Sequence, residues 1–403
     1  MAGDTFTPYW GDFLFSPMPI EVSFNYCSHS CQYCFANLNS PDRRADLKAS
    51  INLLSSYRGR ETYLARLLQE GYPVLASNRV DPFAASNWRQ VLPVLEIMHG
   101  AGIPVSFQTK GGRGIEEVLN YTPPSVWYLS IAMWDDDRRK AIEPGAPTIE
   151  SRLALISTLR DKGHEVIIGV NPYEPEWFAP GEEDRLLQEF ADRGVWGIWC
   201  ELLHLNKNQL ARIPEKGQTA IGDTVIFDAL RKKHVPDKVG ALEDFRTMAM
   251  DKGLEVHTIG QGHYSRFWEP FERCYDKLFP TNQGFINYCY ELDIDDYTLI
   301  SFRDYADYMI PRLPGGLNRI GDYVRVAVKD MRTTRALMSS RYQTFEAILQ
   351  MGWIEPNCRY NPSQWWCFSY AMYDGKPIVD DHEGMPMMVF RRSPFRETFV
   401  GLG

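Results

Sequence analysis

From Ile20 to Thr258 the chain alternates short apolar runs with amphipathic stretches, and no other feature limits its fold so strongly. The runs are Ile20–Phe24, Val74–Ser77, Val105–Thr109, Val126–Ala132, Val166–Val170, Trp196–Glu201 and Leu254–Thr258. They are rich in Val, Ile and aromatic residues, which suits strands buried on both faces. Helical patterns lie between them at Glu61–Gln69, Trp88–His99, Glu150–Lys162, Glu182–Arg193 and Thr224–Lys252. Gly71, Gly102, Gly163, Gly194 and Gly253 stand just before the next strand, where a left-handed helix cap needs glycine. Strand–helix repetition of this kind predicts right-handed βαβ units on a parallel sheet. Six or seven units make an α/β fold, a partial or closed TIM-like (βα) barrel. Its chemistry is expected at the carboxyl ends of the strands.

The pattern breaks after Gly260. Two domains are expected, 1–260 and 261–403, the second an aromatic-rich α+β unit for substrate recognition. The stretch Arg312–Arg341 is locally basic and reads as helical over Asp322–Arg335, with another helix at Gln343–Met351. Cys367–Val379 reads as a hairpin turning at Asp374–Gly375. Helix, helix, hairpin is the order of a winged helix, shared by many small α+β domains. Charged residues at 24% and hydrophobic residues at 44% exclude a disordered chain. A net charge of −9 excludes a globally basic nucleic-acid binder but leaves room for a local basic face. No apolar run is long enough to cross a bilayer, and no charged-then-apolar leader follows Met1. A cytoplasmic protein without membrane contact is expected.

Eight cysteines in 403 residues do not make a disulfide scaffold. Three of them, Cys27, Cys31 and Cys34, form a C-x3-C-x2-C pattern directly after the first strand. Three thiolates on one tight loop can hold three irons of a [4Fe–4S] cluster and leave the fourth open. A structural zinc site would need a fourth ligand. His29 inside the loop is available, although the spacing matches no common zinc module.

A C-x3-C-x2-C loop after the first strand of a (βα) barrel resembles the radical S-adenosylmethionine (SAM) superfamily. Val74–Phe83 (VLASNRVDPF), Gly102–Lys110 (GIPVSFQTK), Glu143–Leu153 (EPGAPTIESRL) and Gly169–Pro175 (GVNPYEP) are similar to stretches of its spore photoproduct lyase-like group. The resemblance covers about residues 18–200. It implies a [4Fe–4S] cluster on Cys27, Cys31 and Cys34, with SAM bound at the open iron. Tyr33, Ser77, Lys110 and Ser130 would contact SAM, with Asp81, Glu143 and Arg152 as further candidates. It also implies an electron donor such as flavodoxin or ferredoxin. Bland readings stand beside these: a turn-forming Asp81, a solvated Lys110, a packed Ser130, and Glu143 paired with Arg152. One departure is informative. The lyases carry a hydrogen-donating cysteine near the second strand end, and this chain has no cysteine between Cys34 and Cys200.

Candidates for substrate chemistry follow the later strands: Cys200, Glu201, His204 and Asn206, then Gln261, His263 and Tyr264. Cys200, His204, His263 and Tyr264 are the expected catalytic group. A cysteine inside a strand is more often a small core residue, and that reading stands beside the catalytic one for Cys200. Cys274, Cys289, Cys358 and Cys367 are too scattered for a motif, though a second cluster would draw on them. The resemblance and the basic stretch imply a nucleic-acid base, most simply in DNA, as substrate. Without the donor cysteine, modification or rearrangement is expected in place of repair. Isomerisation of an amino-acid-substituted thymine in phage DNA is one example. The alternatives are radical modification of a peptide or small molecule, a lyase-type enzyme repairing a DNA photoproduct, and, outside enzymes, an Fe–S or zinc protein that binds nucleic acid.

Overall fold

The computed structural model describes residues 6–8, 20–22, 26–34, 47–60, 65, 68–76, 80–203, 205, 207–211, 213, 220–222, 225–226, 236–257, 282–312, 345–354, 361–364 and 367–392. Eight strands form one sheet in sequence order: β1 (Phe6–Pro8), β2 (Ile20–Val22), β3 (Val74–Ala76), β4 (Val105–Thr109), β5 (Val126–Ser130), β6 (Glu165–Tyr173), β7 (Gly197–Leu202) and β8 (Glu255–His257). β1 is an antiparallel edge, and β2 to β8 run parallel. The chain is therefore α/β with the expected strand order. Among the described residues β8 and β1 do not pair, so the barrel is open.

Helices α1 (Leu47–Ser56), α2 (Trp88–Ala101), α3 (Ile115–Leu119), α4 (Asp136–Ile142), α5 (Ile149–Asp161), α6 (Glu182–Asp192), α7 (Lys207–Leu210) and α8 (Pro236–Asp251) fall between the strands. Glycine stops the longer ones as the sequence predicts. Gly102 takes φ 72°, its N–H donates to His99 O, and Ile103 N–H returns to Met98 O at 2.9 Å. At the other end of α5, Thr148 caps the helix by accepting from Ser151 N–H at 3.2 Å.

Register divides the strand residues between two faces, because side chains alternate along a strand. Tyr128 and Ser130 share one face with Gly169, which pairs with Ser130 and with Trp199. That face carries polar groups up to the carboxyl edge. Trp127 pairs with Phe107 on the opposite face, their rings stacking 4.0 Å apart, with Phe83 5.8 Å from Trp127. This aromatic stack is fully buried. The loops at the carboxyl edge converge. Tyr33, after β2, lies 5.9 Å from the Trp177 ring after β6, and Gln209 after β7 reaches the Tyr33 carbonyl at 3.5 Å. The open sheet is thus curled, with its interior face toward these loops.

The later part holds α9 (Asn282–Glu291), α10 (Phe302–Met309) and α11 (Phe345–Ile354) with short strands. Ser301 and Asp304 close a capping box on α10. Phe285, Tyr305 and Trp353 pack as its aromatic core. The turn at Asp374–Gly375 is present between β11 (Met372–Tyr373) and β12 (Lys376–Pro377). The longer hairpin expected over Cys367–Val379 is not formed. Instead β10 (Phe368–Tyr370) pairs with β13 (Met388–Phe390), which pairs with β9 (Leu299–Ile300). Burial explains the difference: Phe368 is covered, whereas Met372 and Tyr373 are exposed and have no core to join. The helix expected over 322–335 and the boundary near 260 lie outside the described residues.

Candidate active site

Parallel strands place all their carboxyl ends at one edge, and there four consecutive loops meet. The cysteine loop follows β2, Asp81 follows β3, Lys110 follows β4, and Ser130 ends β5. Glycine allows two of the approaches. A Cβ on Gly145 would lie 2.0 Å from Ser28 O, so the 143–147 loop packs directly on the cysteine loop. Gly112 has φ 155°, and a Cβ there would lie 2.0 Å from Phe83 O.

Lys110 is the hub. Its Nζ donates to Ser130 Oγ at 2.6 Å and Tyr33 Oη at 2.9 Å, and pairs with Glu143 Oε1 at 2.9 Å. The Tyr33 hydroxyl donates to the same Glu143 oxygen. Arg152 Nη2 holds the other oxygen at 2.5 Å, while its Nη1 donates to the Ser130 carbonyl at 3.0 Å. Glu143 is wholly buried. Burial alone would raise its pKa, but the Arg152 and Lys110 cations and the Tyr33 hydrogen bond hold it well below the usual carboxylate range. Tyr33 is pushed up by burial and by the adjacent Glu143 charge. The structure thus brings Tyr33, Lys110, Ser130, Glu143 and Arg152 into one network. Arg152 and Glu143 form its buried base, and Lys110 and Ser130 form its upper layer.

Asp81 lies beside this network. Its carboxylate accepts from Phe83 N–H, Thr109 Oγ1 and Lys110 N–H at 2.9, 2.8 and 2.6 Å. His29 Nε2 lies 3.1 Å from its second oxygen, close enough for charge attraction but not aligned as a hydrogen bond. Burial would raise the Asp81 pKa. The facing His29 and the three donors reverse that and lower it.

Cys27 and Cys31 are buried, and Cys34 is half-buried. Burial, with the Asp81 charge next, pushes Cys27 up to about 12. Burial also carries Cys31 well above its ordinary value, and the charges of Cys34 and Cys27 add to this. The three thiols are therefore close enough to oppose one another's ionisation. Among the described residues no three metal-ligating side chains are drawn into a finished cage. The donor set nevertheless fits a soft metal centre. Three thiols share one short loop, and a bound cation supplies the positive charge that their ionisation lacks. The same surroundings oppose a free nucleophilic thiolate.

No family model matches the chain. An uncharacterised protein of Mycobacterium tuberculosis is 28% identical over 198 residues, 44% of this chain and 56% of that protein. The match thus spans little more than half of the mycobacterial relative. Uncharacterised protein ORF301 of Acidianus two-tailed virus is 22% identical over 196 residues, 44% of this chain and 64% of its own length. Among solved structures, SuiB of Streptococcus suis bound to precursor peptide SuiA gives a TM-score of 0.40 at 12% identity, covering 66% of this chain and 53% of SuiB. Spore photoproduct lyase complexed with dinucleoside spore photoproduct gives 0.38 at 15% identity, covering 57% and 73%. Methylornithine synthase gives 0.34 at 11%, covering 60% and 71%. At these values the likenesses carry no activity over to this chain.

The remaining sequence candidates separate. Ser77, His204, His263 and Tyr264 lie outside the described residues, as do Asn206, Gln261, Cys274 and Cys358. Cys200 is wholly buried on β7, and register puts it on the face opposite Ser130 and Gly169. Arg246 of α8 donates to its carbonyl at 3.3 Å, and burial pushes its thiol up to about 11. Glu201 takes the interior face instead and accepts from Trp199 Nε1 at 3.0 Å. Cys289 and Cys367 are buried near enough to influence each other's ionisation. Sequence reasoning missed the shared role of Thr109, His29 and Asp81. The signal was present only in part: Thr109 and Lys110 are adjacent, but their joint grip on Asp81 exists only once β3 and β4 pair.

Proposed function

We propose that the chain is a radical SAM enzyme acting on a nucleic-acid base. The observation that carries this reading is the meeting, at one sheet edge, of a three-cysteine loop with the Lys110–Ser130–Tyr33 network. A [4Fe–4S] cluster bound there would supply the electron that cleaves SAM, and with it the radical chemistry of hydrogen abstraction.

The chain's own residues supply the rest. Cys27, Cys31 and Cys34 are the three thiols that would hold the cluster. Lys110 is a cation suited to a carboxylate, and since Ser130, Tyr33 and Glu143 take its three donors, a bound carboxylate would replace one of them. The Ser130 hydroxyl accepts from Lys110 and keeps its own O–H to donate. Glu143 and Arg152 support Lys110 from beneath, wholly buried. Tyr33 is half-buried and packs beside the fully buried Trp177 ring.

The substrate class rests on the resemblance to the spore photoproduct lyase-like group and on the basic stretch. Cys200 faces α8, so among the described residues no thiol beyond the cysteine loop lines the interior face. That favours modification or rearrangement of a base over thiol-dependent repair. An enzyme of this kind must meet its base unpaired or flipped out.

The test is 5′-deoxyadenosine formation by anaerobically reconstituted protein with SAM and dithionite. Single-stranded DNA, duplex DNA, hypermodified phage DNA and a peptide pool are added in turn. Stimulation by a DNA supports the reading. Cleavage stimulated only by peptide overturns its substrate class.

A further inference from the structure

The Asp81 carboxylate has about four acceptor positions; three donors fill three of them, and the His29 ring covers the fourth. Oδ1 accepts from Phe83 N–H and from the Thr109 hydroxyl at 2.9 and 2.8 Å. Oδ2 accepts from Lys110 N–H at 2.6 Å and faces His29 Nε2 at 3.1 Å. A ribose hydroxyl would have to displace one of them. The His29 side chain is 3% exposed. Its other ring nitrogen, Nδ1, lies 3.0 Å from the Gly145 carbonyl. Gly145 N–H returns a hydrogen bond to the His29 carbonyl at 2.9 Å. One imidazole inside the cysteine loop therefore ties that loop to the strand-β3 turn and to the 143–147 loop. One carboxylate ties the same imidazole to the backbone of Lys110.

We infer that Asp81 and His29 form a latch that positions the cysteine loop against Lys110. Asp81 is thus a positioning residue and does not itself contact SAM. This rests on reading the cysteine loop as a metal centre. Partners that orient metal ligands typically change metal retention by about 10–100-fold when removed.

The test compares reconstituted wild type with D81N, H29Q, the double variant D81N/H29Q, and C200A as a control away from the loop. Iron release to a chelator is timed, and SAM affinity and the spectrum of the reduced cluster are recorded. The latch predicts release about tenfold or more faster in each single variant. It predicts a double variant no faster than the singles, since both break one unit. The reduced-cluster spectrum shifts in both singles and not in C200A. Wild-type release rates in both singles overturn the latch, as does a double variant whose effect is the product of the two. Weakened SAM binding in D81N with unchanged iron release restores Asp81 as a direct ligand. Circular dichroism and melting of the metal-free proteins report folding, and H29Q alone carries the test if D81N does not fold. If the wild type takes up zinc and forms no cluster, the proposed function fails. Zinc release from the same variants then tests the latch by itself.

Discussion

Glu143 is a carboxylate without solvent, held by Arg152 beneath and Lys110 and Tyr33 above. Its folded pKa is depressed from the ordinary value of 4.5. Its stabilisation is therefore present above pH 4.5 and is lost as pH falls from there toward the folded value. Removing one partner of a buried pair leaves charge uncompensated, at about 3–5 kcal/mol. R152A should therefore lose about that much in urea unfolding at pH 7, and the deficit should narrow below pH 4.5, as Glu143 protonates in the unfolded chain and in the variant. A deficit independent of pH would contradict the charge account. The pair was legible as one of two readings, because nine positions separate Glu143 from Arg152 across a helix start. Lys110 as their third member was not, since it lies a whole strand–helix unit earlier. Cys200 makes the opposite case. Its position inside the apolar run Trp196–Glu201 read as catalytic or core, and only strand register places it against α8. C200A should keep substrate-free 5′-deoxyadenosine formation and lose only about 1 kcal/mol of stability, the scale of one buried methylene. Loss of that cleavage would return Cys200 to the chemistry.

At the scale of elements, apolar runs located β3 to β7 because these strands are largely buried. β4 matches its apolar run residue for residue, and α2, α5 and α6 end within two residues of the expected positions. Short elements escaped. β1 is Phe-Thr-Pro, without the apolar run that marks the sheet's other three-residue strands, and α3 has five residues, too few to show a period. The close approach of two loops also escaped, because a glycine that admits a neighbour looks in sequence like one that makes a turn. Gly145 is such a residue. G145A places a Cβ 2.0 Å from Ser28 O and must push the 143–147 loop off the cysteine loop. The predicted outcome is faster metal loss with the sheet intact by circular dichroism. Gly169 is another, since a Cβ there would lie 2.0 Å from the Tyr128 hydroxyl. Overpacking of this kind costs about 1–3 kcal/mol, which thermal melting of G169A would register.

Across the whole molecule, charge is distributed unevenly. The described C-terminal elements, 282–312, 345–354, 361–364 and 367–392, hold eleven acidic residues against five Arg and Lys. The basic residues Arg319, Arg325, Lys329, Arg332, Arg335 and Arg341 all fall between them. If DNA is the substrate, that segment is the expected place of phosphate contacts. R332A/R335A should then weaken DNA binding uniformly across sequences and lower the salt slope by roughly 0.9 per lost contact. An unchanged slope would place phosphate contacts elsewhere. Substrate and partner were the least legible properties, because they depend on surfaces assembled from segments far apart in the chain.

The most direct test of the central claim is electron paramagnetic resonance of the reduced, reconstituted protein, with iron counted, before and after SAM is added. About four irons per chain are predicted, with a signal that SAM shifts in the wild type and shifts much less in K110M. Bound zinc in place of iron, or a cluster signal indifferent to SAM, would contradict the account.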